Sequence, residues 1–322
     1  MHNYSDFLTM SQLSVEEFVY LLSSASVQRS MSSQPLAGRN IALIFEKPSL
    51  RTRVTFEVAI RQLGAWPIQL GSIESQLGER EAIPDLARNL SLWVDGIVAR
   101  VFRHVDLEEL ATFATIPVVN ALSDWEHPCQ ALADILTLTD VWRDLEGKKV
   151  GYIGDWNNVS RSLWKACDMA GFSFRAICPK GYGPAEGEKV EWYTEPDAVE
   201  GVDALYTDVW ASMGQEDELE ERIQVFRPYQ VNDALMAKTG RPTYFMHCLP
   251  AHRGLEVTDS VMDADYSLAF QQAANRLPAE KAVLISVLEN HDEATNKEGG
   301  ARVLRRVGQL DNYSVAQGKL WM

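Results

Sequence analysis

The chain has 322 residues, 46% hydrophobic and 9% aromatic, which is enough apolar material for two ordinary α/β domains and too much for a disordered polypeptide. A formal net charge of −15 excludes an extended nucleic-acid surface, while leaving room for a local basic pocket around an anionic substrate. Four scattered cysteines without a Cys-x-x-Cys pair read as reduced thiols, and no targeting segment or membrane-spanning apolar run is evident, so the cytoplasm is expected.

Strand-like runs alternate with helical ones along the chain, which predicts an α/β fold of parallel sheets covered by helices. The apolar run at 41–45 predicts a buried strand, and Val54, Val58 and Leu63 at helical spacing predict a helix after it. Ser49, Leu50, Arg51, Thr52 and Arg53 therefore fall where a strand turns into a helix. Unpaired backbone N–H groups and the helix dipole favour an anion at such a point. Two hydroxyls and two guanidinium groups add donors, and the arginine fork matches phosphate oxygens. The residues form a phosphate cradle without P-loop glycines; the plainer reading is a helix cap followed by surface arginines.

Further strands are expected at 67–70, 96–99 and 117–120. Arg100 ends the third strand, where open α/β sheets place ligands. His127 stands at a loop-to-helix junction, with Pro128 suited to the first turn and Gln130 able to reach the same point. A helix at 130–143 and a charged turn place a domain boundary near 145. The strand at 150–153 leads into Gly154-Asp155-Trp156-Asn157-Asn158. Its Gly-x-x-Gly lacks the full dinucleotide fingerprint, so no NAD site is expected, and Asn157 is a candidate helix cap. Strands follow at 174–178, 204–207, 244–246 and 267–270. Residues 179–201 read as exposed loop with a short helix, and the acidic 214–224 segment as a solvated loop and helix start. Cys248 beside His247, with His252 nearby, hints at zinc, but no second closely spaced ligand pair exists; a small buried hydrophobe is the plainer reading.

Taken together, Ser49 to Arg53, Asp95 to Arg100, His127-Pro128-Cys129-Gln130, Asp208 to Gly214, His247-Cys248-Leu249-Pro250 and Arg276 stand in the order of the transcarbamylase family. The chain resembles that family from Phe7 to about Val307, and the Ser212-Met213-Gly214 and His247 to Pro250 elements resemble its ornithine-using branch. The resemblance implies two domains, each a parallel β-sheet flanked by helices: 1–145 for carbamoyl phosphate and 146–299 for ornithine. A C-terminal helix and tail at 300–322 would cross back to the first domain. It further implies that Ser49, Leu50, Arg51, Thr52, Arg100, His127, Gln130, Cys248, Leu249 and Arg276 contact carbamoyl phosphate. Asn158, Asp208, Ser212 and Met213 would hold ornithine, and Cys248, His127, Arg100 and Asp208 would be catalytic. Leu50 replaces a threonine common in the family, which is harmless if only its N–H is used. The 76–81 loop resembles one that reaches a neighbouring subunit, implying a homotrimer or a multiple of trimers.

The reaction implied is carbamoyl transfer from carbamoyl phosphate to the δ-amine of L-ornithine, with neither metal nor organic cofactor. A transferase for another amine, such as putrescine or an N-acylated ornithine, is the nearest alternative. A catalytically silent partner protein is a second.

Overall fold

The computed structural model describes residues 6–71, 77–211 and 218–292. Strand β1 (Asn40–Phe45) is an unbroken apolar run buried at five successive residues, as a strand covered by helices on both faces must be. It pairs in parallel with β2 (Trp66–Gln69) on one side and β3 (Gly96–Arg100) on the other, and β4 (Val118–Leu122) completes a sheet ordered β2-β1-β3-β4. Pro67 is tolerated because β2 is an edge strand. A second parallel sheet holds β5 (Lys149–Ile153), β6 (Ser173–Ile177), β7 (Glu191–Tyr193), β8 (Ala204–Thr207) and β9 (Tyr244–His247), ordered β7-β6-β5-β8-β9.

Strand order reverses between β1 and β3 in the first sheet and between β5 and β8 in the second. In open parallel sheets, ligands bind outside the carboxyl ends of the strands that flank such a reversal. The residues just past Phe45, Arg100, Ile153 and Thr207 are therefore the ones to watch. Gly154 makes the turn out of β5 possible, since its φ of +139° is open to glycine.

Helix α1 (Val15–Gln28) starts with a reciprocal capping box, Ser14 with Glu17. Helices α2 (Arg51–Gln62), α3 (Ile83–Trp93) and α4 (His104–Phe113) cover the first sheet. Helix α5 (Pro128–Val141) is buried at every residue from Pro128 to Leu138, which no surface helix can be, because it lies between the two sheets' helical layers against α1 and α6 (Asn158–Met169). Helices α7 (Leu219–Phe226), α8 (Asp233–Lys238) and α9 (Asp259–Met262) follow, and α10 spans 269–292. Helix α10 leaves the second sheet beside β9, where Leu268 N–H donates to Phe245 O at 2.8 Å. It ends on the first sheet, with Leu284, Val287 and Leu288 against Ile97 and Val119. The largest buried apolar cluster accordingly runs from β1 and β3 through α5 and α10 to β5 and β8. No helix among the described residues is long and apolar enough to cross a membrane.

Four expectations change in detail. The helix that crosses back is α10, so it begins some thirty residues before 300; residues 300–322 lie outside those described. The run 267–270 is no strand: Ser267 makes one bridge to Phe245 and helix starts at 269, since a short apolar run fits either state. The 179–201 segment contains β7, whose three residues are all exposed and so carry no alternation. On α2 the buried face is Thr52, Phe56, Ala59 and Ile60, while Val54 is exposed.

Candidate active site

Helix α2 begins without a side-chain cap. Its N-cap is Leu50, which accepts no first-turn N–H with its side chain, whereas Ser14 and Asn157 cap α1 and α6. The first N–H groups of α2 thus remain free for an anion at the positive end of the helix dipole. The Leu50 side chain is 75% exposed, so this position offers the site only its backbone. Thr52 is buried and Arg51 half-buried, while Arg53 is exposed and lies over the Phe45 ring at 5.4 Å. Arg100, opposite Phe45 in the β1–β3 register, is buried with its Nε unbonded. Burial, reinforced by Arg276 and Arg51, lowers the Arg100 pKa to about 10. Burial also lowers that of Arg51, with Arg276 adding to the effect. Three guanidinium groups converging on an uncapped helix start are the complement of a phosphate dianion.

Helix α10 supplies the third of them. Arg276 Nη1 donates to Gln130 Oε1 at 2.7 Å, and Nη2 to Thr52 Oγ1 at 3.2 Å, so one side chain ties α10 to both α2 and α5. Gln130 Nε2 donates to Asp134 Oδ1, which also accepts Gln272 Nε2, each at 2.8 Å. Gln272 Oε1 in turn accepts His247 N–H at 2.9 Å. A hydrogen-bond chain therefore runs from the end of β9 across the molecule to the start of α2. Asp134 is fully buried, and burial raises its carboxyl to about 6 against the opposing bonds from Gln272 and Gln130. His127, at the N-cap of α5, is buried with Nδ1 unbonded. Burial, then Arg276 and Arg100, holds its pKa well below the ordinary value, so the ring stays neutral. A neutral imidazole can donate one hydrogen bond to a carbonyl oxygen without becoming a proton source.

The second sheet brings groups of the opposite sign. Asp208, just past β8, accepts Asn157 Nδ2 at 2.9 Å, Val209 N–H at 2.8 Å and the Cys248 thiol at 3.0 Å. Asn157 also caps α6 through Val159 and Ser160 N–H. Its neighbour Asn158 donates Nδ2 to Ser123 O at 2.6 Å, reaching the end of the first sheet. Burial, then Asp208, drives the Cys248 pKa well above the usual thiol range, so it stands as a thiol that donates to Asp208. Leu249 follows with φ of 59°, a left-handed conformation that costs a non-glycine residue about 1–3 kcal/mol. Its N–H donates to His247 Nδ1 at 2.9 Å, and His247 Nε2 faces Glu256 at 3.3 Å. Asp208, His247 and Cys248 bring potential ligand atoms within 4.8 Å of one another. Both His247 nitrogens are engaged, however, so the ring braces the Leu249 turn rather than presenting a metal ligand.

Of the residues singled out from sequence, Arg51, Thr52, Arg100, His127, Gln130 and Arg276 meet in one charge-coupled cluster. Asp208 and Cys248 form the opposing pair, close enough for Arg51 to sense both. Ser49, Leu50, Asn158 and Leu249 lie on the adjoining turns. Ser212 and Met213 lie outside the described residues. Sequence reading missed Asp134, Gln272, Glu280 and the bracing role of His247. One signal was present: Gln272, Arg276 and Glu280 recur every fourth residue, along one face of the helix.

Comparison with known proteins meets this geometry. The family described as "Aspartate/ornithine carbamoyltransferase, carbamoyl-P binding domain" matches residues 5–140, and its "Asp/Orn binding domain" counterpart matches 146–287. An ornithine carbamoyltransferase of Anoxybacillus flavithermus is 48% identical over 302 residues, covering 88% of this chain and 96% of its own. The solved structure of the Pyrococcus furiosus ornithine carbamoyltransferase superposes with a TM-score of 0.83 at 45% identity, over 87% of this chain and 95% of that one. That from Thermus thermophilus gives 0.82 at 43%, over 88% and 99%. On sequence and fold alike, this chain belongs to the aspartate/ornithine carbamoyltransferase family.

Proposed function

We propose that this protein is an ornithine carbamoyltransferase, moving the carbamoyl group of carbamoyl phosphate to the δ-amine of L-ornithine to give L-citrulline and phosphate, in the direction of arginine biosynthesis. The observation that carries this reading is the convergence of Arg51, Arg100 and Arg276 on an uncapped helix start, facing the Asp208–Cys248 pair. A relative from Pyrococcus furiosus, 46% identical over 303 residues, bears the name "Ornithine carbamoyltransferase, anabolic". Residues 1–145 form the carbamoyl phosphate domain and 146–299 the ornithine domain in this proposal.

The phosphate rests on the N–H groups from Ser49 to Thr52, with Arg51 and Arg100 balancing its charge. His127 and Arg276 donate to the carbamoyl oxygen, while Gln130 and the Leu249 carbonyl take the amide. Asn158 receives the α-carboxylate of ornithine and Asp208 its α-ammonium, with Ser212 and Met213 completing the head-group contacts. The δ-amine, whose pKa is near ~10 in water, attacks as the neutral base. A nitrogen–carbon bond forms, the carbon–oxygen bond to phosphorus breaks, and phosphate leaves with the electron pair. Oxyanion donors of this kind are each worth about 10²-fold or more in rate. Because Cys248 is held as a thiol donating to Asp208, it orients that carboxylate, and the amine proton passes on the Asp208 side.

The assembly in this reading is a homotrimer or a multiple of trimers, working in the cytoplasm. Trp66 and Trp93, 62% and 67% exposed, lie at the amino-end side of the first sheet and support a covered face there, and the four described cysteines are all unpaired. Of the 76–81 loop expected to reach a neighbour, Gln76 lies outside the described residues. The test is an acceptor panel: purified protein, carbamoyl phosphate, and ornithine, putrescine, N-acetylornithine, N-succinylornithine or aspartate, with ureido product measured. Strong preference for ornithine is expected. Preference for another amine would overturn the pocket assignment, and no product with any acceptor would overturn the enzyme assignment.

A further inference from the structure

Every guanidinium nitrogen of Arg276 is committed. Nη1 donates to Gln130, Nη2 to Thr52, and Nε and Nη2 both donate to Glu280 Oε1, at 3.1 and 2.7 Å. Glu280 lies one turn further along α10, is fully buried, and leaves its Oε2 without a hydrogen bond. Two other groups come near the carboxyl. Thr55 on α2 gives its hydroxyl to Arg51 O at 2.9 Å, and the Cys129 thiol on α5 gives its own to Asn120 O at 3.5 Å. Glu280 therefore finds its ionic partner in Arg276. A buried carboxylate with one oxygen unmet is costly, and an apolar side chain of similar size would pack this helix face at least as well. Packing alone gives no reason for a glutamate here.

The geometry supplies one. Two N–H groups of the Nε/Nη2 edge sharing Glu280 Oε1 fix the direction of the guanidinium group, and with that direction held the bonds to Thr52 and Gln130 set its plane, which a single hydrogen bond does not. With that edge held from behind, the Nη1 side is left toward Gln130, beside the buried His127. We propose that Glu280 is a positioning residue for carbamoyl transfer, holding the Arg276 guanidinium so that its Nη1 edge is aimed at the carbamoyl oxygen. The inference rests on the carbamoyl-oxygen role given above to Arg276. Glu280 touches neither substrate; its effect passes through the arginine. Misaiming a donor that acts mainly in the transition state lowers kcat more than it raises KM.

The experiment is a double-mutant cycle on citrulline formation with Glu280→Gln, Arg276→Ala and the pair. Glu280→Gln keeps the side-chain volume and one acceptor oxygen but weakens the charged contact. It is expected to lower kcat about tenfold while KM for carbamoyl phosphate stays within about threefold, a fraction of a full oxyanion donor's worth. In the Arg276→Ala background the same change is expected to cost nothing further. Unchanged kcat in Glu280→Gln, or an equal loss in both backgrounds, would overturn the positioning role while leaving Arg276 in place. Unchanged kcat in Arg276→Ala alone would remove the arginine's role and this inference with it. Should Glu280→Gln fail to fold, Glu280→Asp keeps the charge but withdraws it by one methylene, and is held to the same split between kcat and KM.

Discussion

At the carboxyl ends of β1 and β3 the chain gathers Arg51 and Arg100, joined from α10 by Arg276; at those of β5 and β8 it gathers Asn157, Asn158 and Asp208. Both sets occupy the same kind of place, the reversal point of an open parallel sheet. Their chemistry is opposite. The first is cationic, built on an uncapped helix start and stabilised when an anion arrives. The second is built around a carboxylate already satisfied by an amide, a backbone N–H and a thiol. In the proposed reaction, a ligand of two negative charges and a nucleophile with an ammonium head would be sorted to opposite sides, with the reacting atoms meeting between them. Fold supplies the two positions, and the residues at each decide the sign.

The largest effect is expected from the cationic side. Arg51→Met should lower kcat/KM for citrulline formation about 10³-fold, since a charge-assisted contact to phosphate is lost both on binding and in the transition state. Initial rates at varied carbamoyl phosphate measure it, and a loss confined to the KM for ornithine would reverse the assignment of the two sides. Asp208→Asn comes next, with kcat/KM for ornithine about 10²-fold lower. Steady-state rates should show KM for carbamoyl phosphate nearly unchanged. Cys248→Ser keeps a donor to Asp208, so a loss of about tenfold is expected, without a new pH limb between 8 and 9 where an ordinary thiol would titrate. Unchanged turnover at neutral pH would remove Cys248 from the site.

Asp134 links the two sides, and its titration gives a stability test. Burial raises its folded pKa to about 6, above the ordinary value of an unfolded aspartate. The folded state then binds the extra proton, so this group's contribution to stability grows as pH falls through 6. Asp134→Asn has no such gain. The melting temperature of the native protein relative to the variant should therefore rise from pH 7 to pH 5, by the equivalent of about 1–2 kcal/mol. A constant difference across that range would mean the carboxyl is not held as the structure places it. Smallest of all, Leu50→Thr should change kcat/KM by less than about twofold, because that side chain points to solvent.

Those residues also mark how far sequence reading reached. The cradle at Ser49 to Thr52, the strand-end Arg100 and the His127 to Gln130 turn were legible because each is local: a strand, a turn and a helix start within a few residues. The Asn157 cap was legible for the same reason. The Asp134 to Gln272 bond was not, since its partners are 138 residues apart and only the packing of α5 against α10 brings them together. Val54 misled because α2 has apolar residues on two faces, and which of them is buried depends on the sheet it covers. Glu280 drew no reading from sequence, because only the packing of α10 buries it beside Arg276.

The division of charge between the two sides can be measured without turnover. Calorimetric titration of inorganic phosphate into the native protein, Arg51→Met and Asp208→Asn reads the anion site alone. Phosphate should bind the native protein, lose most of its affinity in Arg51→Met, and bind Asp208→Asn at least as tightly as the native form. Weakened binding in Asp208→Asn with Arg51→Met unaffected would place the anion on the wrong sheet and contradict the arrangement described here.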